Sequence, residues 1–75
     1  MSKELKEYVN RHLKIWKERG EWENYSAEVL TFSCLLGLPP EECTGMYVES
    51  DWEPEQVEEY DEITDYLYAL KRKEN

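Results

Sequence analysis

SAEVLTFSCLLGLPP, residues 26–40, decides the fold. Ser26 is an N-cap residue, and Ala27, Val29, Leu30, Phe32, Cys34, Leu35 and Leu36 behind it leave almost no polar face. An element of that kind is a helix buried on most sides. Tyr25 and Leu30 stand at hydrophobic-staple positions around the cap. Gly37 suits the left-handed C′ position, Leu38 is placed to fold back as the C″ contact, and Pro39 forbids continuation. The pattern predicts a central helix over residues 26–36.

Upstream, Leu5, Tyr8, Val9, His12, Leu13 and Trp16 recur at helical spacing, with Lys3, Lys6, Arg11, Lys14 and Lys17 largely off that stripe. Ser2 as N-cap and Gly20 as C′ residue bound a first helix over 3–19, and residues 20–25 read as a turn. Downstream, Pro40 suits the first position of a short helix over 40–46, with Glu41 and Glu42 at its positive end. Residues 44–53 read as irregular or extended. A long last helix is predicted over 54–72, started by Ser50 with Glu53 or by Asp51. Its stripe is Val57, Tyr60, Ile63, Leu67 and Leu70, and Lys71, Arg72 and Lys73 close it. The expectation is an all-α single domain over 1–75, a small three- to four-helix bundle with a long acidic C-terminal helix.

Seventy-five residues give a thin core, since chains of this size bury only about 60% of the surface their unfolded form exposes. Three Trp, six Tyr and one Phe supply large apolar area in compensation, and the same rings serve as interface anchors. Cys34 reads as a buried small hydrophobe and Cys43 as a reduced thiol. Two cysteines and a distant His12 do not make a structural zinc site. No signal-peptide pattern and no membrane span occur; residues 29–38 are the most apolar stretch, and about 20 residues are needed to cross a bilayer. A cytoplasmic location is expected.

Charge is the informative feature. The net charge is −9, and all nine Lys and Arg residues lie within 3–19 and 71–73. Of the eighteen acids only Glu4, Glu7, Glu18 and Glu74 lie outside the intervening stretch. Such a surface repels nucleic acid and anionic membrane and attracts basic proteins. Two readings compete. Acids near a helix start favour its dipole and keep a small protein soluble, with the basic first helix lying beside the acidic last one. Alternatively, Glu49, Asp51, Trp52, Glu53, Glu55, Glu58, Glu59, Asp61, Glu62 and Asp65 form a partner-binding surface for a basic cleft. Crowded carboxylates on one helix repel one another, and on a rigid helix they can stand in for successive phosphates. In size and charge the chain resembles the small acidic inhibitors that bacteriophages direct against restriction, CRISPR and other nucleic-acid enzymes; the resemblance is to a type and carries over no residue.

Other chemistry is weakly represented. Residues 51–62 place acids at positions 1, 3, 5, 9 and 12 of a calcium loop, but Gln56 stands where glycine is required. No GxGxxG, P-loop, HExxH or GxSxG occurs, and so small a chain offers little room for a pocket that desolvates a carboxylate. Residues 26–46 have a helix-turn-helix outline whose second member carries Glu41 and Glu42 in place of base-reading side chains. Trp22, Tyr47 and Trp52 either cap the core or stand as anchors within an acidic rim. The leading expectation is a non-enzymatic inhibitor or modulator of a basic, nucleic-acid-handling protein, with no cofactor and no metal. The alternative is a homodimeric structural or adaptor module whose interface buries Tyr60, Ile63 and Leu67.

Overall fold

Ser2 and Ser26 each accept a backbone N–H three residues on, from Leu5 at 3.1 Å and Val29 at 3.3 Å, and each starts a helix. The structure, a computed structural model, describes residues 1–74. Among them the chain is all-α: α1 spans Lys3–Glu18, α2 Glu21–Asn24, α3 Ala27–Leu36 and α4 Pro54–Glu74, with a 3₁₀ turn at Pro40–Glu42. Gly20 and Gly37 follow α1 and α3 with φ of 73° and 70°, a left-handed conformation that glycine adopts without a Cβ penalty. The small helical bundle with a long acidic last helix is the architecture the sequence predicts.

The core is one cluster. Val9 and Trp16 of α1, Trp22 of α2, Ala27, Leu30 and Cys34 of α3, and Ile63 and Leu67 of α4 are each no more than 3% exposed. Tyr25 packs against the same cluster as Leu30, as a staple requires. α3 lies along α4, and α1 packs on α2. The radius of gyration is 11.8 Å, near the about 11 Å of a compact chain of this length, so the thin core closes within one copy.

Five local expectations are corrected. Residues 20–25 are not a plain turn: Glu21–Asn24 form a one-turn helix, held because Trp22 is buried and its Nε1–H donates to Glu74 Oε2 at 2.6 Å. The helix expected over 40–46 is only the 3₁₀ turn, because Thr44 and Gly45 turn the chain and Gly45 takes φ of 84°. Neither Ser50 nor Asp51 starts α4; the Glu53 N–H donates to Gln56 Oε1 at 2.8 Å, the reciprocal half of a capping box with Pro54 at the first helical position. Leu38 does not fold back, remaining 37% exposed, and Leu36 is 48% exposed where the sequence predicts burial. The Gly37 N–H bonds to the Ser33 carbonyl at 2.9 Å, the simpler left-handed cap that makes no demand on Leu38. α4 also runs beyond the predicted residue 72, since Glu74 bonds to Trp22 and to Lys17 Nζ, each at 2.6 Å.

Two buried hydroxyls cross the α3–α4 seam. Thr64 Oγ1 donates to Thr31 Oγ1 at 2.9 Å, and Thr31 Oγ1 donates to the Ala27 carbonyl at 2.8 Å. Thr31→Val orphans the Thr64 hydroxyl and is expected to cost about 1–3 kcal/mol in urea denaturation. Removing both hydroxyls leaves nothing unpaired across the seam, so Thr31→Val with Thr64→Val is expected to cost less than Thr31→Val alone. A double variant less stable than the single one contradicts that assignment.

Candidate functional site

At 100° per residue, Ile63 and Leu67 set the buried side of α4. Glu55, Glu58, Asp61, Glu62 and Asp65 then fall within an arc of about 120° on the opposite side. All are exposed except Glu62, which is half-exposed. Like charges meet at i,i+4 in Glu55/Glu59, Glu58/Glu62 and Asp61/Asp65, each unfavourable by a few tenths of a kcal/mol. The positive N-terminal end of the helix dipole offsets this only within the first turn. Glu59 is exposed but displaced toward the seam with α1 and α3. Burial raises the Tyr8 phenol above its ordinary range, and the Glu59 charge adds to the effect.

No side chain of the basic first helix forms an ion pair with this arc among the described residues. Among the described residues, Lys17 pairs with Glu74, Arg19 with Glu21, and only Glu62 of the acidic arc has a cation near it, the Met1 amino group at 3.9 Å. Apart from the Lys17–Glu74 pair at the end of α4, side chains of α1 reach α4 at Tyr66. Tyr66 Oη donates to Asn10 Oδ1 at 2.6 Å, and Lys6 lies over the Tyr66 ring.

The remaining predicted residues sit on the irregular 43–53 segment. Glu49, Asp51 and Glu53 are exposed. Trp52 is half-buried, its ring edge-on to Phe32 at 5.7 Å and to Tyr60 at 6.1 Å, which pins the segment to α3 and α4. Trp22 caps the core at 3% exposure, while Tyr47 stands out at 71%. Of the three weighed aromatics, only Tyr47 is therefore a free-standing side chain. Sequence reasoning missed Leu36 and Met46, which lie exposed beside Tyr47 and Trp52. It also missed Glu28, whose Oε2 accepts from Tyr68 Oη at 2.6 Å; that bond, more than burial, raises the Tyr68 phenol.

Of the acids at calcium-loop spacing, Asp51 and Glu53 precede α4 and Glu55, Glu59 and Glu62 are spread along it, and no group of three metal-binding side chains converges among the described residues. His12 is half-buried between Tyr8 and Trp16, at ring distances of 4.6 and 5.9 Å, with Nδ1 3.0 Å from the Tyr8 carbonyl. The helix-turn-helix outline has no second helix, only the 3₁₀ turn. Among the described residues no helix is long and apolar enough to cross a membrane.

Cys34 and Cys43 are both buried and unpaired. Burial pushes the Cys34 thiol up to about 11 and raises that of Cys43, so neither is a thiolate at neutral pH. A thiol-disulfide colorimetric reagent at about pH 8 is expected to label neither cysteine in the native protein and both in denaturant. Rapid native labelling contradicts the burial.

Fold and surface together define a small all-α protein carrying an acidic face with a single ion pair, at Glu62, among the described residues, beside a cluster of exposed apolar side chains. The chain matches no protein family, no curated protein and no solved structure.

Proposed function

We propose that the protein binds a basic, nucleic-acid-handling protein through the acidic surface of residues 49–65 and thereby inhibits or modulates it. The observation that carries this reading is the density of carboxylates on the first half of α4, of which only Glu62 has an ion-pair partner among the described residues. Glu55, Glu58, Glu59, Asp61, Glu62 and Asp65 occupy about 15 Å of helix axis, one per roughly 3 Å. A single strand of duplex DNA presents one phosphate per about 3.4 Å, so a cleft built for a strand meets a similar line of charge. The helix holds that line rigidly, whereas a solvated face kept only for solubility has no need to crowd like charges at i,i+4. No enzymatic step, cofactor or metal is assigned.

The alternative, a homodimer closing on Tyr60, Ile63 and Leu67, has less support. Ile63 and Leu67 are 0% exposed within a single copy and offer no surface to a second.

Immobilised protein should capture its partner from a lysate of the source organism at about 50 mM salt and lose it at about 500 mM, where the Debye length falls well below 10 Å. Equal recovery at both concentrations contradicts the electrostatic reading.

A further inference from the structure

Three of the exposed large apolar side chains gather at one end of the acidic face. Leu36, Met46 and Tyr47, at 48%, 39% and 71% exposure, lie where the end of α3 meets the 43–53 segment. Two shallow grooves meet there and share Leu36 and Trp52 as a ridge. One, of about 320 Å³, is bordered by Glu55 and Glu59; the other, of about 340 Å³, by Met46, Tyr47 and Glu49. No Lys or Arg lines either groove. The ridge is stiff, because Trp52 is held edge-on by Phe32 and Tyr60, whose own centroids are 5.0 Å apart.

Preformed apolar surface within a rim of one charge sign is the make-up of a protein-docking patch. Both grooves open to solvent, which suits side chains presented by a larger chain better than a small molecule that must be buried on most of its surface. We infer that the double groove takes a basic amphipathic segment of the partner, with bulky apolar side chains on either side of Trp52 and Lys or Arg facing Glu49, Glu55 and Glu59. This rests on the proposed function and names the partner chemistry at the same surface.

A second copy of this chain does not supply such a segment. The outer face of α1 mixes Lys3, Arg11 and Lys14 with Glu4, Glu7 and Glu18, leaving no net positive charge. The basic end of α4 has no bulky apolar side chain among Lys71, Arg72 and Lys73, and Lys71 is tied to the Trp22 ring at 4.0 Å.

Two synthetic peptides of equal positive charge, one alternating lysine with leucine and one of lysine alone, test the inference by calorimetry. The lysine–leucine peptide should bind at least about tenfold tighter and survive about 500 mM salt, since burial of apolar area is not screened. Leu36→Ser and Tyr47→Ser alter exposed positions, and far-UV circular dichroism checks that each keeps the fold. Each should bring the lysine–leucine peptide toward the affinity of the lysine peptide and leave the latter unchanged. Equal affinity of the two peptides, or serine variants without effect, overturns the groove and leaves the acidic-surface reading standing. If neither peptide binds at about 50 mM salt, the acidic-surface reading fails and the groove fails with it.

Discussion

Reversing Glu58, Glu59, Asp61 and Glu62 to lysine is expected to weaken partner binding at least about 100-fold while leaving the fold intact. Rim charges contribute roughly 0.5–1 kcal/mol each, and reversal both removes an attraction and adds a repulsion. The same change relieves the like-charge contacts Glu55/Glu59 and Asp61/Asp65 along α4, while 58/62 exchanges one like-charge pair for another, so thermal stability should hold or rise slightly. That combination is what separates a functional acidic face from a solubilising one. Calorimetry against the captured partner and a thermal melt read the two arms independently. Retained affinity contradicts the proposal, and a melt that falls by many degrees points to a structural role for these acids.

Leu30→Ala is expected to remove a large share of the protein's stability and lower its urea midpoint sharply. Leu30 is 0% exposed at the centre of the single core cluster, and deleting a buried leucine costs about 2–5 kcal/mol. A chain of this length has only about 4–11 kcal/mol in all. Ile15→Ala, at a 46% exposed position of α1, should cost less than about 0.5 kcal/mol. Urea denaturation compares the two; similar midpoints contradict the placement of the core on α3.

Those contrasts follow from a fold that was largely legible where its determinants are local. Ser2, Ser26, Gly20 and Gly37 are read correctly because caps act on backbone groups a few residues away. The apolar stripe of α4 is read from its period alone, and so is the outward fan of its acids. Long-range contacts were not legible. α2 is a single turn whose own sequence gives no reason to be helical; it stands because Trp22 reaches Glu74, 52 residues away. The capping bond of Gln56 was hidden by Ser50 and Asp51, which offered competing starts.

The candidate surface divides the same way. Glu55, Glu58, Asp61, Glu62 and Asp65 were found from spacing, and the absence of a local cation among them follows from a sequence with no Lys or Arg between Gly20 and Leu70. The groove beside them was invisible, because Leu36, Met46 and Trp52 come from three separate stretches that only folding brings together. Leu36 reads as core from the apolar run it closes, yet it lies on the last turn of α3 and is 48% exposed.

Competition by nucleic acid reaches the central claim most directly. Partner held by the immobilised protein at about 50 mM salt should be released by added duplex DNA or RNA, should be basic when identified by mass spectrometry, and should be absent when the four-lysine variant is the bait. A partner that stays bound in excess nucleic acid, or that the variant captures equally well, contradicts the account.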